Sequence, residues 1–205
     1  GANTTANHGT AVGKYALAAN TTGGNNTAVG KEALATNTSG QSNVGVGYEA
    51  LYTNNGNQNI GVGEHSLKNN TTGSYNTAIG QQALYNNTTA NFNTGIGYYA
   101  LHTNVTGTYN TALGHNTLRA NTANNNTAVG DNAMYSNTTG INNVAVGYQS
   151  LYTQTGGQDN VAVGYLALRA CNDSFNVAVG NEALTTTTSG WANVAVGYRS
   201  LYLNQ

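Results

Sequence analysis

The sequence predicts an all-β chain: a parallel β-solenoid, or β-roll, of about twelve coils of 16–17 residues. Three observations predict it. Asn (35), Thr (30) and Gly (27) supply 92 of 205 residues, while charged residues are 6 %, net charge is −1 and proline is absent. One pentad recurs at a fixed spacing from end to end. Large apolar and small residues alternate within that pentad, the period-two signature of a strand.

Disorder is the usual reading of so low an apolar content, but it normally comes with high charge or much proline, and both are missing. Six Lys and Arg cannot neutralise a phosphate lattice, which excludes a basic nucleic-acid binder. No apolar run approaches the ~18 residues of a membrane-spanning helix, so no membrane insertion is expected. Cys171 stands alone and can form no internal disulfide. The chain opens at Gly1 with neither methionine nor signal peptide, as a mature chain or fragment would.

The repeat is anchored on the glycine that ends each pentad: Gly13, Gly30, Gly47, Gly63, Gly80, Gly97, Gly114, Gly130, Gly147, Gly164, Gly180 and Gly197. Successive gaps are 17 residues, except for gaps of 16 before Gly63, Gly130 and Gly180. No linker interrupts the series, so residues 1–205 read as a single repeat solenoid domain, expected to be a fragment of a longer chain. The residue before the glycine is Val, Ile or Leu, and the one before that Ala or Gly. Four before is Asn in all but the first repeat, where Gly9 stands. Four after is a large apolar column: Leu17, Leu34, Leu51, Leu67, Leu84, Leu101, Leu118, Met134, Leu151, Leu168, Leu184 and Leu201. Seven after is usually Asn, from Asn20 to Asn204, followed by Thr, Ser and Gly suited to turns.

Two short strands per coil are expected: the pentad (Asn76 to Gly80, for instance) and a second through the Leu column (Ala83 to Asn86). Helices lose, because each candidate spans about five residues before Thr, Asn and Gly close it. One such unit cannot bury its apolar side chains, whereas stacked units pair strand on strand about 4.8 Å apart. The Leu column then forms a core ladder, and aligned Asn side chains can bond amide to amide along the stack. A coil this thin has two strand faces and little interior. One face fills the coil and the other is left as an apolar stripe, which normally marks association. Three rods around a threefold axis would close the arrangement. Which face does which stays open.

The pentads Asn-Val-Ala-Val-Gly at Asn143–Gly147, Asn160–Gly164, Asn176–Gly180 and Asn193–Gly197 resemble the pentads of trimeric autotransporter adhesin (YadA-like) heads. The longer unit Asn-Thr-Ala-Val-Gly-x-x-Ala-Leu-Tyr-x-Asn-Thr-Thr-Gly is more similar still to repeats of phage and virus tail-fibre proteins. The resemblance covers essentially the whole chain. It implies a left-handed roll, a homotrimer, and an extracellular location in a virion tail fibre or on a cell surface. The 16–17-residue coil departs from the shorter adhesin-head unit.

Little catalytic chemistry is expected. Seven carboxylates (Glu32, Glu49, Glu64, Asp131, Asp159, Asp173, Glu182) read mainly as solvated positions, with Glu32 and Glu49 one coil apart. His8, His65, His102 and His115 fall in different columns, and no ligand spacing suits zinc or calcium, so no metal or other cofactor is expected. No serine has a neighbouring base, so no catalytic residue is assigned. Tyr48, Tyr98, Tyr148, Tyr165 and Tyr198 lie one after the glycine, and Tyr52, Tyr85, Tyr135, Tyr152 and Tyr202 five after. Tyr75, Phe92, Tyr109, Phe175 and Trp191 lie five or six before it and are the candidate surface-contact aromatics. These stripes suit packing, or binding of a cell-surface glycan or other receptor. Asn-x-Ser/Thr sequons are frequent, and turn geometry explains them without glycosylation. The expected function is a structural, adhesive fibre segment in host attachment. The rivals are a bacterial surface adhesin head or extracellular filament, and an ice-binding solenoid using Thr10, Thr27, Thr77, Thr94, Thr111 and Thr127. Val and Ile interrupt that Thr column.

Overall fold

A computed structural model describes residues 8–186 and 190–202. Asn204, placed above in the Asn column, lies outside them. Twelve three-residue strands form one parallel sheet in sequence order: β1 (Thr10–Val12), β2 (Thr27–Val29), β3 (Val44–Val46), β4 (Ile60–Val62), β5 (Thr77–Ile79), β6 (Thr94–Ile96), β7 (Thr111–Leu113), β8 (Thr127–Val129), β9 (Val144–Val146), β10 (Val161–Val163), β11 (Val177–Val179) and β12 (Val194–Val196). Pairing is in register, with Thr77 on Thr94, Ala78 on Gly95 and Ile79 on Ile96. Eleven such steps at about 4.8 Å give a rod roughly 50 Å long.

Why the anchor must be glycine is visible at Gly80. Its φ is +128°, and a Cβ there would lie 2.6 Å from the carbonyl oxygen of Gly97 in the next coil. No side chain fits between coils so closely stacked.

The second strand expected through the Leu column does not form. In its place the chain makes tight turns, and alternate residues take left-handed backbone: Gln82 at φ +56° and Leu84 at +52°, repeated coil after coil. Another left-handed residue lies five before the glycine, such as Tyr75 at +61°. The Leu segment still stacks, since the Leu84 N–H donates to Ala100 O at 2.9 Å. Left-handed backbone costs an L-residue about 1–2 kcal/mol and is worst for β-branched side chains. Accordingly, none of the three left-handed columns contains Val, Ile or Thr, although Thr alone numbers 30 in the chain. That selects Leu or Met, rather than Ile or Val, for the core column.

The two strand faces are now distinguished. The Ala/Gly position points inward (Ala28, Ala78 and Ala112 are 0 % exposed) and lies beside the buried Leu ladder. The positions on either side point outward. Leu34 through Leu184, with Met134, are fully buried, while Leu17 and Leu201 in the end coils are only partly covered. Each buried Leu contributes about 1.5–3 kcal/mol.

Ala83 and its counterparts three after the glycine are buried beside the Leu ladder, and most of the remaining interior is amide. Asn26, Asn43, Asn59, Asn76, Asn93, Asn110, Asn126, Asn143, Asn160 and Asn176 are buried four before the glycine. Each side-chain oxygen accepts from the backbone N–H of the same column one coil on, as in Asn93 N to Asn76 Oδ1 at 3.0 Å. Each Nδ2 reaches a turn carbonyl, as in Asn76 to Ala90 O at 2.8 Å. The second Asn column, seven after the glycine, is buried as well and bonds side chain to side chain, as in Asn87 Nδ2 to Asn70 Oδ1 at 2.8 Å.

The 16-residue coils lose their residue in the turn after this second column. Asn87 donates to Ala90 O three places on, whereas Asn54 and Asn121 donate to Gly56 O and Ala123 O two places on. In these coils the two columns also join, through Asn59 Nδ2 to Asn54 Oδ1 (3.0 Å) and Asn126 Nδ2 to Asn121 Oδ1 (3.3 Å). Cys171 fills the same place in the third short coil. Its buried sulfur accepts from Asn176 Nδ2 at 3.5 Å, and burial raises its pKa, so it remains a thiol.

Candidate functional surfaces

Two exterior features separate themselves from the scaffold. The first is the outward face of the sheet. The positions three and one before each glycine place eighteen Val, Ile or Leu and six Thr side chains on it, and no charged residue. Ile79 is 39 % exposed and Leu113 45 %, in the middle of the rod where end effects do not apply. The six Thr of the ice-binding alternative lie in this face, and Thr77, Thr94, Thr111 and Thr127 occupy consecutive coils.

The second is the edge built by positions one, two and five after the glycine. It carries all six Lys and Arg, twelve of the fourteen Tyr, and His65, His102 and His115. Five after the glycine, side chains of successive coils stack on one another. Lys68 Nζ lies 5.9 Å from the Tyr85 ring centre, and Tyr85 stacks on His102 at 5.3 Å with planes 6° apart. The guanidinium of Arg119 lies 5.6 Å from the Tyr135 ring centre, Tyr135 stacks on Tyr152 at 5.4 Å, and Arg169 lies 5.5 Å from Tyr152. Arg119 also lies 5.0 Å from Tyr99 and donates from Nη1 to the Tyr135 hydroxyl at 2.5 Å. Cation–π contacts of this kind are worth about 0.5–2 kcal/mol each. Aligning the columns for Lys and Arg as well as for Tyr would have exposed this mixed ladder in the sequence. Followed by residue type alone, it breaks into unrelated pieces.

Charge on this edge is mostly neutralised locally. Glu49 is buried between Lys68, with which it forms an ion pair, and His65, whose Nε2 lies 3.2 Å away. Burial pushes the Glu49 carboxyl up, but hydrogen bonds with Lys68 and Tyr48 and the charges of Lys68 and His65 outweigh it and hold the group below its ordinary 4.5. Glu32 pairs with Lys31 (3.5 Å) and Glu182 with Arg199 (2.6 Å), and His115 Nδ1 lies 2.9 Å from Asp131 Oδ1. The adjacent-coil pair Glu32 and Glu49 is thus split between two cations. His102 is held below its ordinary 6.5 by burial and then by the charge of Arg119, so its ring is neutral at neutral pH. Nε2 lies 3.2 Å from Gln82 Oε1, and Nδ1 is buried without a partner.

Of the candidate contact aromatics, the structure brings three together. Tyr75, Phe92 and Tyr109 form an exposed stack at 5.0 and 5.1 Å, with planes within 7°. Phe175 and Trp191 are exposed farther along the rod and, among the described residues, join no ring stack. Beside Tyr75, a polar pocket of about 230 Å³ is lined by Gln41, Ser42, Asn57 and Gln58. Among the described residues no group of three His, Cys, Asp or Glu is placed to hold a metal, and no helix is long and apolar enough to cross a membrane. Compared with protein-family models, curated proteins and solved structures, the chain matches none.

Proposed function

We propose that this chain is a structural and adhesive segment of an extracellular fibre, of the kind found in phage tail fibres, that works as a homotrimer. The observation that carries the reading is the uncharged outward sheet face, twelve strands long and lined by Val, Ile, Leu and Thr. An apolar stripe of that length is stabilised when covered, and a second and third copy present matching stripes at the same 4.8 Å step. Packing the face at a threefold axis leaves a stiff rod whose remaining edges repeat every coil. Repetition of that sort turns weak contacts with a host surface into strong attachment. A bacterial surface adhesin head would use the same construction. Sedimentation equilibrium of the chain tests it. Three chain masses are expected for the native sequence and one for Val129→Lys/Val163→Lys, which sets charges into the middle of the face. A native species of one chain mass overturns the proposal.

An ice-binding role is the second reading, favoured by the outward Thr77, Thr94, Thr111 and Thr127 on consecutive, in-register strands. Thermal hysteresis in a freezing assay would support it, and its absence removes it.

A further inference from the structure

Three cations stand five after the glycine, and among the described residues one of them has a carboxylate partner. It is Lys68, paired with Glu49 two after the glycine of the preceding coil. For Arg119 the corresponding residue is Tyr99, and for Arg169 it is Gln149, whose Oε1 accepts from Arg169 Nε at 3.1 Å. Among the described residues neither guanidinium has a carboxylate within ion-pair distance; of the other four cations Lys31, Lys68 and Arg199 do, and Lys14, in the first coil, does not. Both arginines lie in one column, three coils apart, and the coils between them hold Tyr135 and Tyr152. The ladder therefore reads guanidinium, phenol, phenol, guanidinium over about 14 Å. The two phenol rings stack on each other and a guanidinium lies against each, Arg119 also donating to the Tyr135 hydroxyl, while both rings stay partly exposed. The Tyr152 hydroxyl makes no hydrogen bond among the described residues. At the Arg119 end, Thr103, Ala120 and Tyr135 line a small pocket of about 140 Å³, whose walls are mostly carbon.

We propose that the Arg119–Tyr135–Tyr152–Arg169 ladder binds an acidic polysaccharide lying along the rod axis. Its anionic groups would pair with the two guanidinium groups, and its hydroxyls with the phenol hydroxyls between them. A guanidinium stacked on tyrosine is already fixed in place, so an incoming carboxylate or sulfate meets a preorganised, partly desolvated donor fork. The apolar pocket beside Arg119 suits the carbon face of one sugar ring. The row of hydroxyls suits an extended chain of hydroxyl-bearing units better than a compact anion. A phosphate polymer is a poorer fit, because two cations spaced three coils apart meet only a small fraction of its charge. The proposal rests on the fibre reading above, since it supplies the ligand class for the attachment that reading requires.

Binding of the full 205-residue chain to polygalacturonate, dextran sulfate, dextran and single-stranded DNA, measured by calorimetry, tests it. Polygalacturonate or dextran sulfate should bind and dextran should not, with affinity falling as salt rises from ~0.05 to ~0.3 M. Whichever of the first two binds more tightly assigns the anionic group as carboxylate or sulfate. Arg119→Gln/Arg169→Gln should weaken binding at least about tenfold. Gln149→Glu provides a check that leaves the stack intact. It places an internal carboxylate on Arg169, in a column that already holds Glu32, Glu49 and Glu182, and should weaken binding to a similar degree. Arg199→Gln, outside the ladder, should change nothing. Equal binding of dextran, equal or tighter binding of DNA, or full affinity in both the double variant and Gln149→Glu would overturn the site. Loss of binding in a chain that still sediments as three copies sinks this site alone, whereas binding by a single-copy species sinks the fibre assembly alone.

Discussion

The two amide ladders inside the rod are chemically alike and behave differently. The column four before the glycine is unbroken from Asn26 to Asn193, each step made by a backbone N–H onto the side-chain oxygen below, at 2.9–3.0 Å. The column seven after it relies on one side chain reaching another, and its steps range from 2.6 Å (Asn70 to Asn54) to 3.5 Å (Asn121 to Asn104). The sequence departs from Asn here at Gln154, Cys171 and Thr187, and in the first column only at Gly9. The buried amide oxygens left without partners among the described residues, Asn37 Oδ1, Asn137 Oδ1 and Gln154 Oε1, all belong to this second column. A backbone donor fixed by the strand admits one acceptor geometry, so only Asn fits. Two mobile side chains can give up a bond at the smaller cost of one orphaned acceptor.

Substitutions can break or sharpen that contrast. Asn76→Leu should cost about 3 kcal/mol or more, because it strips the acceptor from the buried Asn93 N–H and a donor from Ala90 O. Denaturant unfolding measures it. Leu84→Ile tests the left-handed core column lying between the two ladders. It should cost about 2–3 kcal/mol, beyond the usual volume-conserving swap, because β-branching meets φ of +52°. Leu84→Met, the residue of Met134, should be nearly silent by the same measurement. Asn87→Leu, in the second column, should cost only about 1–2 kcal/mol, and a loss matching Asn76→Leu would erase the distinction between ladders. Gln154→Asn should raise stability by up to about 1 kcal/mol, giving Asn137 Oδ1 a partner, and a calorimetric melting scan reads the gain. The smallest effect is the pH dependence. His102 and Glu49 both have folded pKa values below their unfolded ones, so both stabilise fully above those values. Stability should fall as pH drops below 6.5 for His102 and again below 4.5 for Glu49, and His102→Gln should flatten the first step.

Much of this fold is legible in the sequence because coil stacking converts a 16–17-residue period directly into strand register: Thr77, Thr94 and Thr111 pair in the structure as their spacing predicts. The segment through Leu84 misleads for a physical reason. Leu84 stands between small Ala83 and half-exposed Tyr85, which reads in the sequence as the large–small alternation of a strand, yet Ala83 is buried beside it, as a tight turn allows and a strand does not. The absence of Val, Ile and Thr from the columns of Gln82 and Leu84 distinguishes the two, and that signal is visible without coordinates. The sequence leaves open which strand face is interior, since Ala78 and Ile79 are both apolar. It follows from coil thickness, because beside a Leu ladder and two amide columns only Ala or Gly fits. The surface ladder through Arg119 and Arg169 escaped because its members differ in type while sharing one position.

Thiol labelling tests most directly whether the outward sheet face is covered by other copies. Cys171 is buried and its pKa is raised, so it gives a quiet background. A maleimide should modify Val129→Cys, in the middle of that face, at least about tenfold more slowly than Gln81→Cys on the open edge, with protection lost on dilution below assembly. Equal labelling rates at the two sites, at concentrations where the chain is most concentrated, would show the face bare and contradict the account.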